Sequence, residues 1–354
     1  MTDDMMTPPV GDGFDPMERY RKELALRQTF STLGLALFVM MTVWLGLTIV
    51  LSVIVQVLSF RTPAILDFYN DYALIFNELG LAIGVVASLP IVGKVPQVTV
   101  ESRSFSAGHF VRLFSIAFAI STVGNWISNL FLSVWNGATG NEVTNEVIDL
   151  VMETNPWLSF IAVGLCAPFL EEYFFRKLLI DRLRPYGELA AIMTSALLFA
   201  LFHGNFSQLF YAFGAGVLLS YLYLRSGSFF LTFLFHALFN TLSGVLPMLV
   251  MDDILAFEQA IAGLTDEALT EMMPDLMQNY GASLLFYAFY VLFLGLMTIL
   301  GFIYFFKGLR RTHVTRGEHG LSAGRVWRIA IFNTGMLLAL ILLLLLMLFS
   351  LFTL

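Results

Sequence analysis

An ionised side chain at the centre of a membrane span costs about 2.5–3.5 kcal/mol. One strongly apolar stretch of this sequence nevertheless reads Ala167-Pro168-Phe169-Leu170-Glu171-Glu172-Tyr173-Phe174-Phe175-Arg176. Two carboxylates and a guanidinium this close must be paired or used. On a helix Glu172 and Arg176 are four residues apart, share a face and form the favoured acid-before-base ion pair. Glu171 is rotated about 100° from Glu172 and is free of that partner. A paired acid beside an unpaired one is the pattern of one structural and one reactive carboxylate. Two further apolar stretches supply imidazoles: Phe199 precedes His203 by one turn, and Asn240 follows His236 by one turn on the same face. Carboxylate, imidazole and amide are the groups that activate water and stabilise an oxyanion. Each has a bland alternative: an intramembrane His or Asn often only bonds across helices, and the Glu172–Arg176 pair alone can be architecture. Their joint occurrence in three stretches favours a working site.

Long helices in lipid must position these groups. Of 354 residues, 58% are hydrophobic and 13% charged, about half the ~25% charge of globular proteins. That excludes a soluble enzyme and a disordered chain, and a net charge of −7 also opposes a nucleic-acid partner. Cys166 is the one cysteine, so there is neither a disulfide framework nor a Cys-cluster metal site. Nine runs are long enough to be read as spans of a ~30 Å hydrocarbon layer: 30–59, 73–94, 110–135, 157–180, 189–204, 206–225, 228–250, 282–306 and 327–354. The expected fold is all-α, a polytopic integral membrane bundle of about nine transmembrane helices. It divides into a tail (1–29), a three-helix region (30–156), a core (157–250), an acidic outer loop (251–281) and a two-helix region (282–354). The 251–281 loop carries an apolar stripe, Ile254, Leu255, Phe257, Ile261 and Leu264, which predicts a short surface helix.

Charge sets the expected orientation. With nine alternating spans, 18 of the 19 Lys and Arg fall on one side and only Arg61 on the other. Loops 136–156 and 251–281 hold no Lys or Arg and eleven acids. The N-terminus is therefore expected in the cytoplasm and the C-terminus outside. The polar first 29 residues lack a cleavage site of the signal-peptide kind, so the first span is expected to be retained. His109, His313 and His319 lie in or beside basic cytoplasmic segments. Glu78 is expected near the outer end of its span, reaching headgroups, and Asn125 and Asn129 are expected to glue helices. Cys166 and the series Ala212, Gly214, Gly216 and Ser220 read as packing positions.

The ordered set Glu171-Glu172-x-x-x-Arg176, Phe199-x-x-x-His203 and His236-x-x-x-Asn240 resembles the CPBP family of intramembrane proteases, which groups type II CAAX prenyl endopeptidases with bacteriocin-processing and abortive-infection proteins. The resemblance covers about 157–245, a quarter of the chain, with no departure at the motif positions. It implies an endopeptidase with its site sunk in the membrane, acting on a membrane-associated or lipid-modified peptide or protein. Carried over, Glu171 is the general base and His203 helps it polarise water. His236 and Asn240 form the oxyanion hole, while Glu172, Arg176 and Phe199 support the site. The resemblance leaves a metalloprotease open, with zinc on Glu171, His203 and His236, beside a metal-free glutamate mechanism. A bacterial plasma membrane is the expected location. The rival reading is a non-catalytic immunity or scaffolding protein that keeps the fold.

One geometric difficulty follows from helix rise. His203 lies about 22 Å along its span and His236 about 12 Å along its own, so the motifs meet only if the helices are tilted or offset.

Overall fold

The computed structural model describes residues 16–140, 143, 146–308, 314–315 and 321–352, and among them every regular element is helical. His313, His319 and most of the 1–29 tail lie outside the described residues. The chain runs through α1 (Pro16–Ser59), α2 (Ala64–Asp71), α3 (Ala73–Val92), α4 (Ala107–Thr139) and α5 (Glu146–Glu153). It continues as α6 (Pro156–Tyr186), α7 (Glu188–Phe202), α8 (Phe206–Ser226) and α9 (Phe229–Ile261), then α10 (Asp266–Gly308), α11 (Ala323–Ile331) and α12 (Thr334–Phe349). Many large apolar side chains face outward, among them Trp126, Leu130, Phe289 and Leu292, as lipid contact requires. The molecule is an all-α polytopic membrane bundle.

The count of nine spans is corrected. Among the described residues seven helices are long and apolar enough to cross a membrane: α1, α3, α4, α6, α8, α9 and α10. An eighth arises if the bent pair α11–α12 is one span. The run at 189–204 becomes α7, only 15 residues, or about 22 Å at 1.5 Å per residue. Most of its side chains are buried, so protein rather than lipid surrounds it and nothing requires it to match the bilayer. The run at 327–354 breaks by 73° around Phe332 and Asn333. Asn333 fixes the break: its Oδ1 accepts from Met336 N–H (3.0 Å), capping α12, while its Nδ2 donates to the carbonyls of Ile329 and Ala330 at the end of α11.

The acidic segment 251–281 is helical on both sides of a short turn. The C-terminal part of α9 packs along the start of α10, and Ser283 donates to Asp253 across this hairpin. Asn125 and Asn129 do not glue helices: both are exposed on α4, whose buried face presents Ser121, Gly124 and Ser128 instead.

At the centre, α7 is enclosed by α6, α8 and α12, while α3 packs against α1 and α6. Gly216 of α8 permits the close approach of α8 to α7. A Cβ there would meet Ala196 Cα at 2.9 Å and the Phe199 ring at 3.2 Å, so its bare face sets the position of Phe199.

Candidate active site

The helix that carries both acids is not uniformly α. Residues Phe160–Cys166 and Tyr173–Ile180 form wide π turns on either side of the short α stretch Ala167–Glu172. Pro168 explains the first. It has no N–H and its ring crowds the preceding carbonyls, so the turn opens and Ala167 N–H reaches back five residues to Ala162 O. In that register Val163 O would accept from residue 168, which cannot donate. The Asn240 side chain takes the vacant role, its Nδ2 donating to Val163 O at 3.2 Å. One of the two amide hydrogens of Asn240 is thereby committed to holding α9 on α6, and the other is left for further bonding.

Glu172 and Arg176 form the expected pair, Arg176 Nε to Glu172 Oε2 at 3.1 Å, both fully buried. Glu172 Oε1 accepts from His236 Nδ1 at 2.9 Å, so a single carboxylate fastens α6 to α9. The Arg176 Nη1 donates to Ser195 Oγ (3.0 Å), which in turn donates to Phe175 O (2.9 Å) and ties α6 to α7. Ser195 is absent from the motif reading, yet it sits one turn before Phe199 on the same face of α7, a spacing that points to it.

Phe199 is where the three motifs meet. The Arg176 guanidinium lies 4.9 Å from its ring centroid, a cation–π contact. The His203 and His236 rings lie 4.8 Å and 5.9 Å from it, both edge-to-face. This removes the difficulty of depth: Phe199 is one turn below His203, about 5–6 Å nearer the level of His236, and its ring spans what remains. His203, at the C-terminal end of α7, bonds through Nδ1 to Phe199 O at 2.7 Å. A carbonyl only accepts, so Nδ1 carries the proton and Nε2 of the neutral ring is a free acceptor.

Glu171 has a different environment. It is buried, and its Oε2 has no hydrogen-bond partner among the described residues. His236 Nε2 lies 3.7 Å from this oxygen, beyond a direct hydrogen bond. The structure thus brings Glu171, Glu172, Arg176, Phe199 and His236 into direct contact, adds His203 through Phe199, and sets Asn240 one turn along α9.

A catalytic zinc asks for about three protein ligands. Among the described residues no three His, Cys, Asp or Glu side chains are placed to hold a metal ion. Nδ1 of both imidazoles is committed, to Glu172 and to Phe199 O, which leaves Nε2 of each ring for any ligation, and His236 Nε2 lies 3.7 Å from Glu171. As placed, Glu171, His203 and His236 are not gathered as a ligand set among the described residues.

Glu78 is the clearest correction. It does not reach headgroups; it is buried, on a helix packed against Phe160–Glu172, within electrostatic range of Glu171.

Residues 153–242 match the family model described as type II CAAX prenyl endopeptidase Rce1-like, about a quarter of the chain. No curated protein and no solved structure matches the chain.

Proposed function

We propose, from the premise that residues 153–242 are a CPBP-family membrane-protease domain, that the chain hydrolyses a peptide bond of a membrane-associated or lipid-modified substrate with glutamate-activated water. The carrying observation is the division of labour between adjacent acids. Glu172 is spent on Arg176 and His236, whereas Glu171 keeps a buried oxygen with no hydrogen-bond partner among the described residues beside the same imidazole.

In this reading an attacking water gives its proton to Glu171, aided by the free acceptor Nε2 of His203, as its oxygen bonds to the carbonyl carbon. Glu172, paired with Arg176, accepts from Nδ1 of His236 and orients that ring. The uncommitted N–H of Asn240, joined by His236 Nε2–H when that ring carries both protons, then meets the negative charge on the carbonyl oxygen. When the C–N bond breaks, Glu171 returns its proton to the departing amine. Glu171, Glu172 and His236 are buried, in a low dielectric that strengthens their action, while His203 and Asn240 are half-buried.

The test compares the N-termini of membrane proteins in cells carrying wild-type or Glu171→Ala protein. New termini that depend on Glu171 support proteolysis and reveal the substrate. Identical termini, with the variant present at normal levels, point to the non-catalytic role.

A further inference from the structure

Away from the acids, α1 and α11 each present a stripe of side chains three or four residues apart. Tyr20, Leu24 and Arg27 share a face of α1; Arg325, Arg328 and Phe332 share a face of α11 and the bend that follows it. The two stripes line one open cavity of about 630 Å³. Its walls are fixed. Val326, Ile329 and Ala330 of α11 are buried in the same core as Leu26 and Phe30 of α1. Arg325 then clasps Glu23 of α1 with two bonds, Nε to Oε1 at 3.1 Å and Nη2 to Oε2 at 2.8 Å, the bidentate form that commits both partners.

That clasp uses the one carboxylate among the described residues lining the cavity. Arg27 and Arg328 are exposed, and among the described residues neither guanidinium makes an ion pair or hydrogen bond. Beside these two cations the lining is apolar yet open: Leu24 is 40% exposed and Phe332 60%. The setting suits both. The chain bends by 73° between α11, which carries Arg325, Trp327 and Arg328, and α12, which has no charged residue. A short helix with arginines on one face, set across an apolar helix, has the form of one lying in a membrane interface. Guanidiniums beside exposed apolar surface suit a ligand with phosphate at one end and hydrocarbon at the other. Inorganic phosphate would leave the apolar part unused, and a zwitterionic headgroup would bring its own cation towards the arginines.

We propose that this cavity binds one anionic glycerophospholipid of the surrounding bilayer. Its phosphate lies between the Arg27 and Arg328 guanidiniums, and its acyl chains pass Leu24 and Phe332 into the hydrocarbon. Arg325, spent on Glu23, holds the wall in place. The site is built from residues other than the acids of α6 and stands whether or not the proteolytic reading holds.

The test titrates the full chain in detergent with phosphatidylglycerol or phosphatidylcholine and counts retained lipid by native mass spectrometry. Wild type should retain one phosphatidylglycerol and bind phosphatidylcholine about tenfold more weakly. Replacing both cations, Arg27→Gln with Arg328→Gln, should weaken phosphatidylglycerol about thirtyfold, near fivefold per arginine. Removing the same charge at two other exposed arginines, Arg103→Gln with Arg112→Gln, should leave its affinity within about twofold. Phe332→Ala, which keeps both cations, should weaken it severalfold, and an excess of inorganic phosphate should not displace the lipid. Unchanged retention by the Arg27/Arg328 variant, or an equal loss in the Arg103/Arg112 variant, overturns the site. Phosphatidylcholine bound as tightly as phosphatidylglycerol overturns its preference for an anion. Displacement by inorganic phosphate, or unchanged retention by Phe332→Ala, overturns the lipid as occupant.

Discussion

Where α1 meets α12, Gly335 lies against the backbone of Ser31 and Leu35, and Gly34 against Met336. One hydrogen bond, Gly335 N–H to Ser31 Oγ at 3.0 Å, crosses the contact, and the rest is apolar packing by residues such as Leu37, Met336, Ala339 and Leu343. Where α6, α7 and α9 meet, the contact is carried by Glu172, Arg176, His236, Ser195 and Asn240. Lipid provides no hydrophobic force between helices, so a structural seam relies on small residues and close packing. Buried charges add nothing to such a seam that packing does not supply. Their concentration at the second contact, with the Glu171 oxygen lacking a hydrogen-bond partner among the described residues, is what the proposed catalytic reading rests on.

Substitutions should separate the two regions. The largest effect is expected from Glu171→Gln: cleavage falls by about 10²–10⁴-fold while the thermal unfolding transition in detergent stays in place. Arg176→Met comes next, because it strands Glu172 without its cation and should destabilise the fold by about 3–5 kcal/mol. Adding Glu172→Gln should recover much of that stability without restoring cleavage, a pattern readable from paired melting and turnover assays. At the packing seam, Gly335→Leu should cost about 1–3 kcal/mol by forcing α12 off α1. Turnover per folded molecule should be unchanged, and an activity loss exceeding the folding loss would erase the distinction between the regions. The smallest effect is expected at Ser195→Ala. Loss of one acceptor for Arg176 should lower stability by about 1 kcal/mol and turnover only a few-fold.

How much of this was legible in the sequence depended on distance along the chain. The spacing of Glu172 and Arg176 is local, and their ion pair follows from helix geometry alone. The shared face of Phe199 and His203 is equally local, although the role of Phe199 as meeting point for Arg176 and both imidazoles needed the fold. The bond from Asn240 to Val163 O was not legible, because it depends on a π turn set up by Pro168 and on a partner 77 residues away. Glu78 was misplaced because depth was counted from the end of its run, whereas the packing of α3 against α6 decides where it points. The span count erred at α7 for a related reason: an apolar run shows what a helix avoids, water, and not whether lipid or protein surrounds it.

The most direct measurement reconstitutes wild-type and Glu171→Gln proteins in liposomes with a substrate found by the terminus comparison, and reads the products by mass spectrometry. Cleavage at one bond by wild type, with the substrate left intact by an equally folded Glu171→Gln protein, is the predicted result. Equal cleavage by both proteins would contradict the assignment of Glu171 as the base that activates water.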